Sequence, residues 1–559
     1  MSSEPATDPV ILALTGMLPA VLIASAALAF AVSLLLLKLY RRAVLRSMNL
    51  RGNGEAPPLP TSAPGAPEAA LTVERIPVGK PGGANGDALR TALAAPWRSA
   101  LVYAGAGAAF AAVMTGAWLL ATGDAALPAT KLVLLFWTYF WPAALTANLV
   151  AAATRAARIK VGLAYLVVMI GVIFWALARN PQMGWHELPV FWLITNGPPT
   201  VLAYGFLARP IRAVGPLVLS FMVLAGIGSQ FTLSWLGADD VRLRAAVEAG
   251  SALGLGGIGI FWAVFALGFA AFGVLGWILL RWLGARYRRK LFSDQSLTLD
   301  SIWLLFAVYH GIGLVFEGPA WMASGLVAFA AYKLAALAGH ARSRASGRTT
   351  PRTLLVLRVF SLGRRSEQLF DAIRTHWQRL GGISLIAGPD LVTTNVEPHE
   401  FLDFVSGKLS RQFVQDDADL ERRVAAMDLG PDPDGRYRVN EFFCHADTWQ
   451  ATMRRLARES GAVLMDLRSF SPSNQGCLYE LGRLLDTVDL ARVVFVTDGS
   501  TDQRFLNDAL RELWQGISTA SPNRRHVNPV ARLLQVERIS PAALRTLLAC
   551  LLLPSTEKG

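Results

Sequence analysis

Charged side chains are scarce in this sequence, 17% of 559 residues, whereas 53% are hydrophobic. A chain so short of charge cannot cover itself with polar surface, which excludes a wholly soluble protein and requires lipid to hide much of it. Cysteine is scarcer still. Cys444, Cys477 and Cys550 are the only three, all toward the C-terminus with no paired spacing, which excludes a disulfide-stapled secreted fold and fits reduced thiols in a cytosol. Histidine numbers seven, and His399 and His445 lack ligand spacing, so no metal site is expected. No cleavable leader is expected either. The first apolar run, Val10 to Leu37, is longer than a signal-peptide core and follows Glu4 and Asp8 rather than a basic stretch, so it reads as a retained membrane helix.

What the sequence does have is apolar runs bounded by positive charge. The net charge is +13, which in a soluble protein would suggest a nucleic-acid partner. Position argues against that partner. Arg41-Arg42, Arg155/Arg158/Lys160, Arg209/Arg212 and Arg286/Arg288/Arg289/Lys290 all stand where apolar stretches end, as membrane orientation and anionic headgroups require. The expected partner is the lipid bilayer, with no nucleic acid.

About 20 apolar helical residues cross the hydrocarbon core, and nine stretches qualify: about 10–37, 99–121, 131–153, 161–178, 188–207, 213–236, 254–281, 301–317 and 320–339. In the fifth, Asn196-Gly197-Pro198-Pro199 frees backbone groups that lipid cannot satisfy, so bending and shielding are expected. With the N-terminus outside, the basic clusters fall on cytoplasmic returns at every turn, and the C-terminus lies in the cytoplasm. The expected location is the cell inner (plasma) membrane.

The domains follow: 1–40, a first transmembrane helix; 41–98, a disordered Pro/Gly-rich cytoplasmic linker with a short apolar island from Leu71 to Pro77; 99–340, an eight-helix transmembrane region; 341–352, a basic juxtamembrane linker; 353–559, a cytoplasmic α/β domain. The spans hold few ionisable groups. His310 is the clear deep one, and Lys333 can reach toward the cytoplasmic face. Glycines at 254, 256, 257, 259, 268, 273 and 276 suit close helix packing. No second interrupted span is evident, so the membrane region reads as a platform or sensor more than a carrier.

From Thr353 the periodicity changes to short β-rich runs alternating with amphipathic helices, the pattern of a doubly wound parallel sheet. Expected strands are Leu354–Phe360, Ser384–Ala387, Tyr437–Phe443, Ala462–Leu467, Val493–Thr497 and Leu533–Val536, with helices at Ser366–Leu380, Thr448–Glu459, Cys477–Leu485, Asp502–Trp514 and Pro541–Leu553. The fold class is therefore a multi-pass α-helical membrane bundle of about nine spans followed by a cytoplasmic α/β domain. Ligands of such sheets sit past the carboxyl ends of the strands. There lie Ser361-Leu362-Gly363-Arg364-Arg365, the loop Arg468 to Gly476, and Asp498 to Asp502, with Asp502 expected as a helix cap.

The run Ser471-Pro472-Ser473-Asn474-Gln475-Gly476-Cys477-Leu478-Tyr479-Glu480-Leu481 resembles the third-strand loop and helix of Toll/interleukin-1 receptor (TIR) domains. In that family a Ser-rich loop leads into a Trp-Cys-x-x-Glu-Leu helix. Cys477, Glu480 and Leu481 match, and Gly476 stands in place of the Trp. The same segment through Gly482 is similar to the Gly-Thr-x-x-Glu-Leu-Gly segment of nucleoside deoxyribosyltransferase-like proteins. The resemblance implies a flavodoxin/TIR-like fold and, through Glu480, cleavage of an N-glycosidic bond. A carboxylate there can stabilise or capture an oxocarbenium-like state. Ser361, Arg468 and Ser471 are supporting substrate-binding candidates, chosen by their place beside strand ends. No cofactor is required; NAD or another nucleotide would be the substrate, and self-association through the cytoplasmic domain is a further expected interaction.

Three readings follow. The chain is a membrane-anchored signalling or defence module that binds or cleaves a nucleotide; or a transporter or channel whose α/β domain regulates it; or a non-catalytic interaction scaffold.

Overall fold

A computed structural model of the protein describes residues 18–49, 67–79, 86–123, 129–151, 155–180, 184–207, 211, 214–345, 351–359, 364–388, 396 and 398–553. The chain divides into two units: Met1–Leu39, Ala100–His340 and Val396–Val405 form one, and Tyr40–Ser99, Ala341–Asn395 and Ser406–Gly559 form the other.

Eight helices among the described residues are long and apolar enough to cross a membrane. They account for eight of the nine expected spans. The expected fifth span forms the helix Glu187–Leu207, with Pro198 and Pro199 inside it, and is not among those eight. The expected break at Asn196–Pro199 does not divide that helix; an interruption not expected from the sequence instead divides the third span into Ala129–Tyr139 and Trp141–Val150 around Phe140, with Pro142 in the first turn of the second piece. The unit's core gathers Phe110, Trp303, Phe306 and Tyr332, all buried. Trp303 stacks on Tyr332 at 4.5 Å and donates its indole N–H to Thr146 Oγ1 at 3.0 Å. Lys333 does more than reach for a membrane face: it pairs with Asp300.

In the second unit eight strands form one all-parallel array: β1 (Thr72–Ile76), β2 (Leu354–Arg358), β3 (Ile383–Ile386), β4 (Phe413–Val414), β5 (Val439–Cys444), β6 (Ala462–Asp466), β7 (Val493–Thr497) and β8 (Val530–Gln535). Their spatial order is β1-β8-β7-β6-β2-β3-β5-β4. The central strands are largely apolar because both faces are covered. On one face Leu355, Leu357, Val463, Met465 and Phe495 pack under the helices α2 (Asp417–Ala425), α3 (Trp449–Glu459), α4 (Gln475–Thr487) and α5 (Gln503–Gln515). On the other, Leu354, Val356, Leu464 and Val494 meet α1 (Arg364–Trp377) and α6 (Pro541–Leu551).

The segment expected as a disordered linker, 41–98, is in its described parts built into this unit. Its apolar island is strand β1, which extends the sheet by pairing with β8 from Thr72↔Val530 to Ile76↔Leu534. Leu71 and Val73 pack on one core, and Ala92, fully buried, belongs to the other with Leu89 and Leu93 beside it. The physical reason is the open edge of β8. Its unpaired amides and carbonyls need a partner, and a short run such as Thr72–Ile76 supplies one even though Glu74 and Arg75 make it look like linker.

Candidate active site at the carboxyl edge of the sheet

The chain leaves β2 for β3 on one side and later returns to place β6 on the other. The β2/β6 junction is thus the topological switch point, the place where open α/β sheets bind ligands. There Arg358 and Asp466, the last residues of their strands, are register partners. One strand further, Asp498 follows the end of β7. All three are buried, so each strand of this central group closes its apolar run with a charge at the same edge.

Asp466 holds Arg468 in a two-pronged ion pair, with Nε 2.8 Å from Oδ1 and Nη2 2.6 Å from Oδ2. Arg468 also donates to the Arg365 carbonyl at 3.0 Å. Both partners are nearly inaccessible, and removing either one would strand a buried charge at a cost of about 3–5 kcal/mol. Arg365 reaches across the same edge. Its guanidinium pairs with Asp498 and lies 3.4 Å from Ser469 Oγ and 3.3 Å from Ser500 Oγ. Those two hydroxyls are themselves 2.7 Å apart. Ser469 holds a left-handed backbone, φ 58°, a conformation that costs a non-glycine residue about 1 kcal/mol or more.

Glu480 projects from the second turn of α4, where the chain starts a helix after a Ser/Asn turn. It is 3% exposed, and its Oε2 has no hydrogen-bond partner. Burial pushes its carboxyl up to about 8, only partly opposed by the Arg358 charge. The acid is therefore largely protonated at neutral pH. Cys477, one turn earlier, is buried with Sγ 3.6 Å from the Arg358 carbonyl. Burial and the neighbouring Glu480 and Asp466 hold its thiol well above the ordinary range, so the helix start does not activate it.

The residues expected from sequence fall out unevenly. Glu480 sits at this edge beside Arg358. Arg468 is here too, but Asp466 and the Arg365 carbonyl occupy its donors, so it braces the loop. Ser471 is drawn into the turn before α4, with Oγ 3.1 Å from Asn474 Oδ1 and 2.9 Å from Ser473 Oγ. Ser361 lies outside the described residues. Asp502 caps α5, accepting from the Phe505 amide at 2.9 Å. Asp498 lies in a loop the sequence already marks, whereas Arg358 and Asp466 were not singled out, although a lone charge ending an apolar strand is a readable signal. With Glu480 protonated, three guanidiniums (Arg358, Arg365, Arg468) face two carboxylates (Asp466, Asp498). Glu537 beside Gly499 adds a third carboxylate, so the group that can meet an anionic ligand is Arg365, the exposed guanidinium of the three.

Comparison with known proteins gives no match: no family model, no curated protein and no solved structure matches this chain.

Proposed function

We propose that this is a multi-pass inner-membrane protein whose α/β unit faces the cytoplasm, binds a nucleotide such as NAD at the β2/β6 switch point and cleaves its N-glycosidic bond. The observation that carries this reading is Glu480, a buried carboxyl with an unpartnered oxygen beside Arg358 at the ligand edge of the sheet. A buried acid without a structural partner costs stability, and such groups gather where chemistry is done. The order β8-β7-β6-β2-β3-β5 reads 6-5-4-1-2-3 within the sheet, the doubly wound order of dinucleotide-binding folds with its switch point at β2/β6, which supports a nucleotide ligand there.

In the proposed reaction the C1′–N bond breaks and its electron pair leaves with the base. Water oxygen bonds to C1′ and releases a proton. The positive charge on a nicotinamide-ribose, and on the oxocarbenium-like state that follows, favours the ionised form of Glu480. Arg365, whose side chain is 44% exposed at the rim, meets the phosphates.

Glu187–Leu207, added to the eight apolar helices, gives nine crossings. With the basic clusters at 155–160, 209–212 and 286–290 inside, the N-terminus is outside and the α/β unit cytoplasmic. The test is binding. Full-length protein in nanodiscs should be stabilised against heat by NAD or a nucleoside, with Arg365→Ala weakening a phosphate-bearing ligand about tenfold and leaving a bare nucleoside unaffected. No stabilisation by any nucleotide or nucleoside would remove this reading.

A further inference from the structure

A proline inside a helix withholds an N–H from the carbonyl four residues earlier, and lipid offers that carbonyl no replacement. The membrane unit meets this problem at Pro142, which leaves the Thr138 carbonyl, and at Pro198 and Pro199, which leave those of Ile194 and Thr195. Side chains of other helices answer. Asn196 Nδ2 donates to the Thr138 carbonyl at 3.1 Å, and Tyr309 Oη donates to the Ile194 carbonyl at 2.9 Å. The His310 ring stands beside the Thr195 carbonyl without closing a hydrogen bond of normal geometry. The helix Glu187–Leu207 therefore touches the third span through the Thr138 carbonyl that Pro142 exposes, and the helix Asp294–Gly313 closes the Ile194 carbonyl.

A set of polar atoms is left over. Asn196 Oδ1, Thr138 Oγ1 and both ring nitrogens of His310 lack any hydrogen-bond partner, although Asn196 and Thr138 are fully buried and His310 is 4% exposed. Oxygen acceptors and an imidazole lone pair favour a cation. So does the helix Ala129–Tyr139, which ends here and turns the negative end of its dipole toward the site. Around His310 stand Tyr139, Phe306 and Phe110, with ring centroids at 4.9, 5.6 and 6.1 Å, and aromatic faces attract cations. Asn196, Thr138, His310, Tyr139 and Tyr309 carry no fixed negative charge, and Asp300 on the His310 helix is committed to Lys333. A divalent ion would want carboxylate oxygens.

We propose that Thr138, Asn196 and His310, brought together where two proline-bearing spans meet the helix Asp294–Gly313, form an intramembrane site for a monovalent cation. The occupant is an alkali cation on the three side chains, or a proton on His310 held by the Thr195 carbonyl and the Asn196 amide oxygen. This goes beyond the nucleotide reading and does not depend on it. The Thr138 hydroxyl has no partner in the fold, so the isosteric Thr138→Val leaves the packing intact and removes a ligand.

Full-length protein in nanodiscs would be titrated with radiolabelled sodium and rubidium. Saturable binding that Thr138→Val weakens at least about tenfold, and that Thr138→Ser retains, identifies an alkali cation. If neither ion binds, the unfolding temperature is followed against pH. The other titratable groups of these helices, Lys131, Tyr139, Glu187, Tyr204, Asp294, Tyr309 and the Asp300–Lys333 pair, stay in place in His310→Gln. A parent that gains stability over His310→Gln as pH falls therefore identifies the proton, whereas a parent that loses stability as pH falls marks an imidazole buried without one. Absence of both saturable alkali binding and any gain of the parent over His310→Gln as pH falls overturns the proposal.

Discussion

The indole N–H of Trp514 donates to the Ala69 carbonyl at 2.9 Å. This bond joins α5 to the segment that precedes β1, and Gly79, just after β1, donates to Thr546 Oγ1 at 3.0 Å. The α/β unit is therefore assembled from distant stretches of chain.

A fragment beginning at Thr353 should consequently expose the β8 edge and part of the core that Ala92 fills. It is expected to aggregate or to melt at lower temperature than the same fragment supplied with residues 67–99. Trp514→Phe in the complete protein should cost about 1 kcal/mol, the value of one buried hydrogen bond. Urea unfolding compares the pairs, and equal stability with and without residues 67–99 would contradict the described role of β1.

Stability should also depend on pH through Glu480. Burial raises its folded value to about 8 from an ordinary 4.5, so between those values the folded state keeps a proton that the unfolded chain releases. Stability falls as pH rises across that window, by at most about 1.4 kcal/mol per pH unit. Below it both states are protonated, and above it both are ionised, so the slope vanishes at either end. Glu480→Gln has no proton to lose, and its advantage over the parent should widen from about pH 5 to about pH 8. Pulse proteolysis of the full-length protein in urea, read at the α/β unit, measures it. A difference independent of pH would place the carboxyl in contact with water.

In the membrane unit, a methyl group at Gly325 would run into the Ala307 carbonyl, whereas one at Gly105 meets nothing within 4 Å. Gly325→Ala should lower the unfolding temperature by several degrees by prising apart the helices Asp294–Gly313 and Ala323–Ala345. Gly105→Ala should leave it unchanged. Fluorescence-detected size exclusion after heating distinguishes the two, and equal behaviour would contradict the close approach at Gly325.

Much of this architecture is legible in the sequence, because hydropathy and period are local. The strand Val493–Thr497 has the expected bounds, and β2, β3, β5, β6 and β8 lie within a few residues of theirs. What escapes a reading of the sequence is what pairing decides. Thr72–Ile76 becomes a strand only because β8 offers an edge, and the two-residue strand Phe413–Val414 depends on β5 in the same way.

At the site, Glu480 is readable from its motif, while Arg358 and Asp466 show in the sequence only as charges that end apolar strands, without their partners. Their adjacency is a matter of register across about a hundred residues of chain, as Arg358↔Asp466 shows. The carbonyls freed by Pro142 and Pro198 are predictable, but the side chains that answer them, Asn196 and Tyr309, are not, because helix packing selects them.

The central claim is that Glu480 acts on the N-glycosidic bond of a nucleotide held at the switch point. The most direct measurement is release of the free base from NAD and from nucleosides by the full-length protein in nanodiscs, with the parent and Glu480→Gln side by side. Turnover by the parent that falls at least about a hundredfold in Glu480→Gln, with NAD still bound, is the expected result. Turnover unchanged by the substitution, or none by the parent on any of these substrates, would contradict the claim.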